Sequence, residues 1–245
     1  MVKILCIGNS FSQDASRYVW GIARADGEAV KIVNLYIGGC DLSRHYRNMM
    51  SENRAYDFEI NGMIKTGIHV SLKEALLMDN WDYVTLQQQS LQGADYETYQ
   101  PYLNALADYV RTMCPKAKLM MFETWGYENG SEKLASTPFA THADMYHALK
   151  EAYEKSASAI DAEGIIPGGH AILHAVEQGG LPIYRDSFHM SKGFGRYLLG
   201  LIFYGTMIGE RIEENTFSDF DEPISETEMR IAKTLAIEAI RAYAK

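Results

Sequence analysis

Short apolar runs alternating with longer amphipathic stretches predict an α/β fold, a parallel sheet with helices on both faces. Two observations carry this prediction. Runs of strand length recur at Val2–Ile7, Val30–Tyr36, Asp82–Leu86, Lys118–Phe122 and Gly164–Pro167. Segments with helical periodicity fill the spaces between them.

The first run, VKILCI, is apolar almost throughout, as a strand buried on both faces must be. VKIVNLY and KLMMF read the same way. Tyr99, Tyr102, Leu103, Leu106, Val110 and Met113 fall on one helical stripe, and Pro115 stops it. Residues 140–161 read as one long helix. Near the end, Ser225 with Glu228 three residues on is a capping-box signature. Ala232, Leu235, Ala236, Ala239, Ile240 and Tyr243 then form the apolar face of a last helix.

The chain has 245 residues, 47% of them hydrophobic, which suits one domain over residues 1–245 with a full core. A net charge of −9 opposes binding to nucleic acid and to anionic membranes. The apolar run at residues 2–7 is shorter than a signal-peptide core, so the expectation is a cytoplasmic chain. Cys6, Cys40 and Cys114 have neither metal spacing nor a disulfide framework. No phosphate-loop or dinucleotide-binding glycine pattern is present.

In a parallel sheet, chemistry sits just past the carboxyl ends of the strands. Four blocks lie there or nearby. Gly8-Asn9-Ser10-Phe11-Ser12 follows the first strand. It can expose a hydroxyl beside free backbone N–H groups, or simply cap the next helix. Gly38-Gly39 follows the second strand and permits close backbone approach to a ligand, or an ordinary turn. Gln87-Gln88-Gln89-Ser90 follows the third and offers uncharged amide donors, or a solvated loop. Asp186 and His189 are three residues apart, so one turn lets the carboxylate orient the imidazole. A lone pair of this spacing also arises by chance.

In this order, the four blocks resemble the SGNH hydrolases, also called GDSL-like esterases and lipases. That family carries Gly-Asp-Ser after strand one, a glycine after strand two, an Asn-bearing block after strand three, and Asp-x-x-His near the C-terminus. The resemblance spans residues 4 to about 200. It implies Ser10 as nucleophile, His189 as general base and acid, and Asp186 as the group that holds the histidine. The oxyanion hole would use the Ser10 and Gly39 N–H groups and a side-chain amide. Asn9 replaces the usual aspartate. The glutamine block replaces Gly-x-Asn-Asp, as in some sugar-ester deacetylases of the superfamily. Gln89 is taken as the amide donor with Gln87 beside it, and Asn9 as a substrate contact; Trp125, past the fourth strand, either stacks on a sugar ring as a substrate contact or packs in the core or rim.

The resemblance further implies a three-layer α/β/α sandwich of flavodoxin type with about five parallel strands. Its chemistry is ester hydrolysis through an acyl-serine intermediate, with no metal or organic cofactor. The expected partner is a small-molecule ester, first of all an O-acetyl group on a carbohydrate. A thioesterase or lysophospholipase, or a catalytically silent glycan-binding module, are the competing readings. Cys40 adjoins Gly39, but no histidine spacing supports it as a nucleophile. His45, His142, His170 and His174 read as structural.

Overall fold

The structure, a computed structural model, describes residues 1–244. The chain opens with β1 (Val2–Gly8), α1 (Ser10–Ser16), α2 (Val19–Ala25), β2 (Val30–Tyr36) and α3 (Leu42–Ser51). Next come β3 (Tyr56–Ile60), β4 (His69–Val70), α4 (Leu72–Leu77), β5 (Tyr83–Leu86) and α5 (Tyr102–Met113). Then follow β6 (Lys118–Phe122), α6 (Glu132–Ala135), α7 (His142–Ala159) and β7 (Gly164–Ile166). The last helices are α8 (Gly168–Gln178), α9 (Phe194–Met207) and α10 (Glu226–Tyr243).

The sheet order is β4-β3-β2-β1-β5-β6-β7. Strands β2, β1, β5, β6 and β7 are parallel. Counted among themselves they run 2-1-3-4-5, the flavodoxin order. The five parallel strands are as expected, but the sheet has seven strands. Two antiparallel strands, β3 and β4, extend it beyond β2. Tyr56, Phe58 and Ile60 alternate with Asp57 and Glu59, which is a strand period. The two acids make the segment look solvated, and β4 has only two residues. Glu59 is nevertheless buried, because Asn34 and Gln13 donate to its carboxylate at 2.8 and 2.5 Å.

Crossover handedness explains the layers. The chain leaves β1 towards β2 in one direction, then passes back over β1 to reach β5 in the other. Right-handed connections therefore put the intervening helices on opposite faces. Helices α1, α2, α9 and α10 pack together, while α3, α4 and α5 form a second group and α7 lies on β6 and β7. Most of α9 is buried, which is why its sequence is apolar nearly all round. Helix α10 begins with the predicted capping box: the Ser225 Oγ accepts from the Glu228 N–H, and the Glu228 carboxylate accepts from the Ser225 N–H. No helix among the described residues is long and apolar enough to cross a membrane.

Glu123, just past β6, carries a stability prediction. Burial pushes its carboxyl up from 4.5 to about 7, against hydrogen bonds from the Tyr243 hydroxyl and the His170 N–H. Between those values the folded chain keeps a proton that the unfolded chain has released. Stability should therefore fall as pH rises through this window, by up to about 1.4 kcal/mol per unit. Glu123→Gln should remove this part of the slope. Urea melts of both proteins at pH 5, 6 and 8 check it, and parallel pH dependences would refute it.

In a 2-1-3-4-5 sheet the two crossovers diverge at β1, opening a crevice between the carboxyl ends of β1 and β5. Gly8 ends β1, and Gln87 follows β5.

Candidate active site

The turn after β1 is built by Asn9. It stands in extended conformation at the N-cap of α1, and its Oδ1 accepts from the Phe11 N–H at 3.0 Å. Ser10 becomes the first helical residue, where a backbone N–H has no partner within the helix. Gly8 must lack a side chain. A Cβ there would lie 2.4 Å from Ser12 Oγ and 2.7 Å from Gln87 Oε1.

The partner residues arrive on the loop before α9. Tyr184 and Met190 pair as an antiparallel bridge, and the Arg185 N–H donates to the His189 carbonyl at 3.0 Å. Within this tight turn Ser187 takes a left-handed φ of 68°, unusual for a residue with a side chain. Two bonds hold the turn in place. The Glu128 N–H donates to the Ser187 carbonyl and the Trp125 Nε1–H to the Phe188 carbonyl, each at 2.8 Å. The turn brings Asp186 Oδ2 to 2.8 Å from His189 Nδ1, and Asp186 Oδ1 accepts from the His189 N–H at 2.9 Å. His189 Nε2 then lies 2.8 Å from Ser10 Oγ. Ser10, His189 and Asp186 thus form one hydrogen-bonded run.

The electrostatics suit that arrangement. Partial burial works to raise the Asp186 carboxyl, but the two hydrogen bonds from His189 outweigh it and hold the carboxyl below the usual range. An ionised Asp186 accepts from Nδ1–H, which leaves the Nε2 lone pair to accept the Ser10 proton. The other histidines are differently placed. Burial lowers His45 and His142 to about 4, and their ring nitrogens face the hydroxyls of Tyr56 and Tyr184. Burial pushes the Cys40 thiol up to about 12, so it holds no thiolate near neutrality.

The amides of the third block divide their work. Gln87 is buried, and its Nε2 donates to Asn9 Oδ1 at 3.0 Å. Asn9 is buried as well and donates through Nδ2 to the Cys40 carbonyl at 3.0 Å. An aspartate at position 9 could not make that last bond, which gives the departure from Gly-Asp-Ser a physical reason. Gln88 Oε1 accepts from the Leu42 and Gln89 N–H groups at 3.0 and 2.9 Å. Together Asn9, Gln87 and Gln88 stitch the turns after β1, β2 and β5 to one another.

Three of the expected site residues lie in the interior. Gln87 is turned away into the stitch, so its amide is not offered at the surface. Asn9 is a helix cap and cross-link, with both ends of its amide engaged. Trp125 is fully buried, stacked on Phe11 with ring centroids 4.1 Å apart and planes 3° from parallel. It supports the histidine turn from below and offers no face to a sugar.

Gly39 and Gln89 are differently disposed. Gly39 is exposed with φ of 61°, and no described residue accepts from its N–H. Gln89 is half-buried, and its Oε1 accepts from the Leu91 and Gln92 N–H groups at 2.9 and 3.3 Å. Those two bonds fix which end of the amide is oxygen and leave Nε2 without an acceptor among the described residues.

The model of a domain of unknown function, DUF4886, matches residues 3–239. The chain belongs to the DUF4886 family. A crystal structure of a DUF4886 family protein from Bacteroides uniformis is 30% identical, covers 98% of this chain and 95% of its own, and superimposes with a TM-score of 0.88. A candidate SGNH hydrolase from Slackia heliotrinireducens is 23% identical, with 85% and 99% of the two chains covered and a TM-score of 0.60. The psychrotrophic esterase EstA from Pseudoalteromonas sp., in a structure inhibited by monoethylphosphonate, is 13% identical, with 83% and 95% covered and a TM-score of 0.54. These last two likenesses give the DUF4886 chain the SGNH hydrolase fold, in agreement with the blocks read from its sequence. No curated protein matches it.

Sequence reasoning missed Asp14 and Arg185. Asp14 is a fully buried acid on the helix that Ser10 begins. Its place one helical turn after Ser10 is the only signal the sequence carries for it.

Proposed function

We propose that this chain is a serine esterase that cleaves a small acyl ester through an acyl-serine intermediate. The unbroken run from Ser10 Oγ through His189 to Asp186, set at the β1/β5 crevice, carries this reading. Ser10 attacks the acyl carbon while His189 Nε2 takes its proton, and Asp186 stabilises the imidazolium. The Ser10 N–H, the Gly39 N–H and Gln89 Nε2 receive the oxyanion. His189 then protonates the departing alcohol, and water reverses the sequence to free the serine.

Gln89→Ala should therefore lower kcat by about 10² with little change in KM. Gln87→Ala should act on stability, by about 1–3 kcal/mol, because it breaks the stitch to buried Asn9. Steady-state kinetics and urea melts of both variants separate the two glutamines. A larger kcat loss in Gln87→Ala would reverse their assignment.

We take the acyl group to be short. Two large cavities, about 850 and 590 Å³, lie away from Ser10. The first is lined by the starts of β6 and β7 with Ser158 and Tyr243, and the second lies between α10 and residues 213–218. Neither gives a long acyl chain a channel at the nucleophile. An O-acetyl group on a carbohydrate is our substrate class, on the strength of the sequence resemblance and without support from Trp125. Cleavage of p-nitrophenyl acetate, butyrate and octanoate by wild type and Ser10→Ala tests the reading. We expect Ser10-dependent release, fastest for acetate and at least about 10-fold slower for octanoate. A preference for octanoate would favour the thioesterase or lysophospholipase reading instead.

A further inference from the structure

Asp14 sits four residues after Ser10 and meets both ends of the turn that carries Asp186 and His189. Its Oδ2 accepts from the Met190 N–H at 3.1 Å, and its two oxygens accept from Arg185 Nη1 at 2.9 and 3.0 Å. Arg185 Nη1 also donates to the Met190 carbonyl. Residues 185 and 190 are the ones that bracket Asp186–His189. On its other side, Asp14 Oδ1 accepts from Arg196 Nε at 2.8 Å, and Arg196 Nη1 donates to Asp221 at 2.7 Å. Arg17, also beyond α1, binds Asp221 through Nε at 2.9 Å. The Asp14 side chain is wholly buried, whereas that of Arg185 is 25% exposed.

A buried carboxylate is expensive to keep unless every donor around it is in place. This one takes donors from three positions, so it holds them to one arrangement. Ser10 and His189 are 179 residues apart in sequence. Apart from the Ser10–His189 contact itself, the Asp14 carboxylate hydrogen-bonds the helix of the first to the loop of the second.

We propose that Asp14 is a positioning residue, which clamps the Asp186–His189 turn onto the helix of Ser10 through Arg185 and Met190. It touches no substrate and exchanges no proton. Its effect is the distance from Ser10 Oγ to His189 Nε2, and it deepens the esterase reading on which it rests. Misplacement of a reacting group by about 1 Å costs about 10² in rate.

The test uses the full chain with Asp14→Asn and Arg185→Gln. The second breaks the clamp from its exposed side and spares the fold should the first fail to fold. Both should lower kcat on p-nitrophenyl acetate about 100-fold at a KM within about twofold of wild type, with the melting transition still cooperative. The double variant should be no slower than the worse single one, since the pair acts as a unit. Crystal structures should show the Ser10–His189 contact of 2.8 Å opened in the variants. A kcat within threefold of wild type together with an intact contact would overturn the clamp. If wild type itself shows no Ser10-dependent turnover, the esterase reading falls, and the contact in the crystal structures alone decides for or against the clamp.

Discussion

Ser10→Ala should lose at least about 10⁴ of kcat on a short-chain ester and keep its fold. The physical argument has two parts. Acyl transfer to serine needs the hydroxyl itself, and no described neighbour replaces it. Ser12 Oγ is buried and committed to the Asn9 carbonyl and to Asn34 Oδ1 at 2.9 and 2.7 Å. The lost group, by contrast, contributes little to packing. Ser10 is half-buried, and its hydrogen bond to His189 is worth about 1 kcal/mol. Urea melts should place the variant within about that margin of wild type. A rate within tenfold of wild type would remove Ser10 from the mechanism.

His189→Ala should be comparably severe, and the double variant with Ser10→Ala should be no worse than either alone, because the two groups act in one step. Asp186→Asn should be milder by about one to two orders of magnitude. The Asp186 side chain is 45% exposed, so water covers part of the loss. Nitrophenol release at saturating ester measures all three. Additive losses in the double variant would show that Ser10 and His189 serve different steps.

How far the sequence reveals all this depends on what each signal rests on. Strands β2 and β6 can be bounded to the residue because parallel strands buried on both faces read as continuous apolar runs. Strands β3 and β4 escape because β3 carries Asp57 and Glu59 between its apolar residues, and β4, the edge strand, has only two residues. Helix α10 is readable from its cap, a local interaction over three residues. At the site, Asp186 and His189 are close in sequence and their pairing is local. Their meeting with Ser10 is not, and only the order of the blocks along the chain hints at it.

The glutamine block shows the limit most clearly. Three adjacent amides look alike in sequence. The structure gives Gln87 to Asn9, Gln88 to Leu42 and Thr98, and Gln89 to its own loop. The strand ends at Leu86, so the alternation of an extended chain does not govern their directions. Trp125 follows a similar logic. A tryptophan past a strand end looks like a pocket wall, but its indole N–H finds the Phe188 carbonyl and its ring finds Phe11. Asp14 has no local partner at all in sequence; Arg185 and Arg196 lie 171 and 182 residues away.

The most direct test of Ser10 as an activated nucleophile is mass spectrometry after exposure to an organophosphate such as diethyl p-nitrophenyl phosphate. Such reagents phosphorylate a serine whose proton a neighbouring base can take. The account predicts one adduct per chain, on the peptide that holds Ser10, formed far more slowly in His189→Ala. An unmodified chain, or an adduct on another residue that forms equally well without His189, would contradict it.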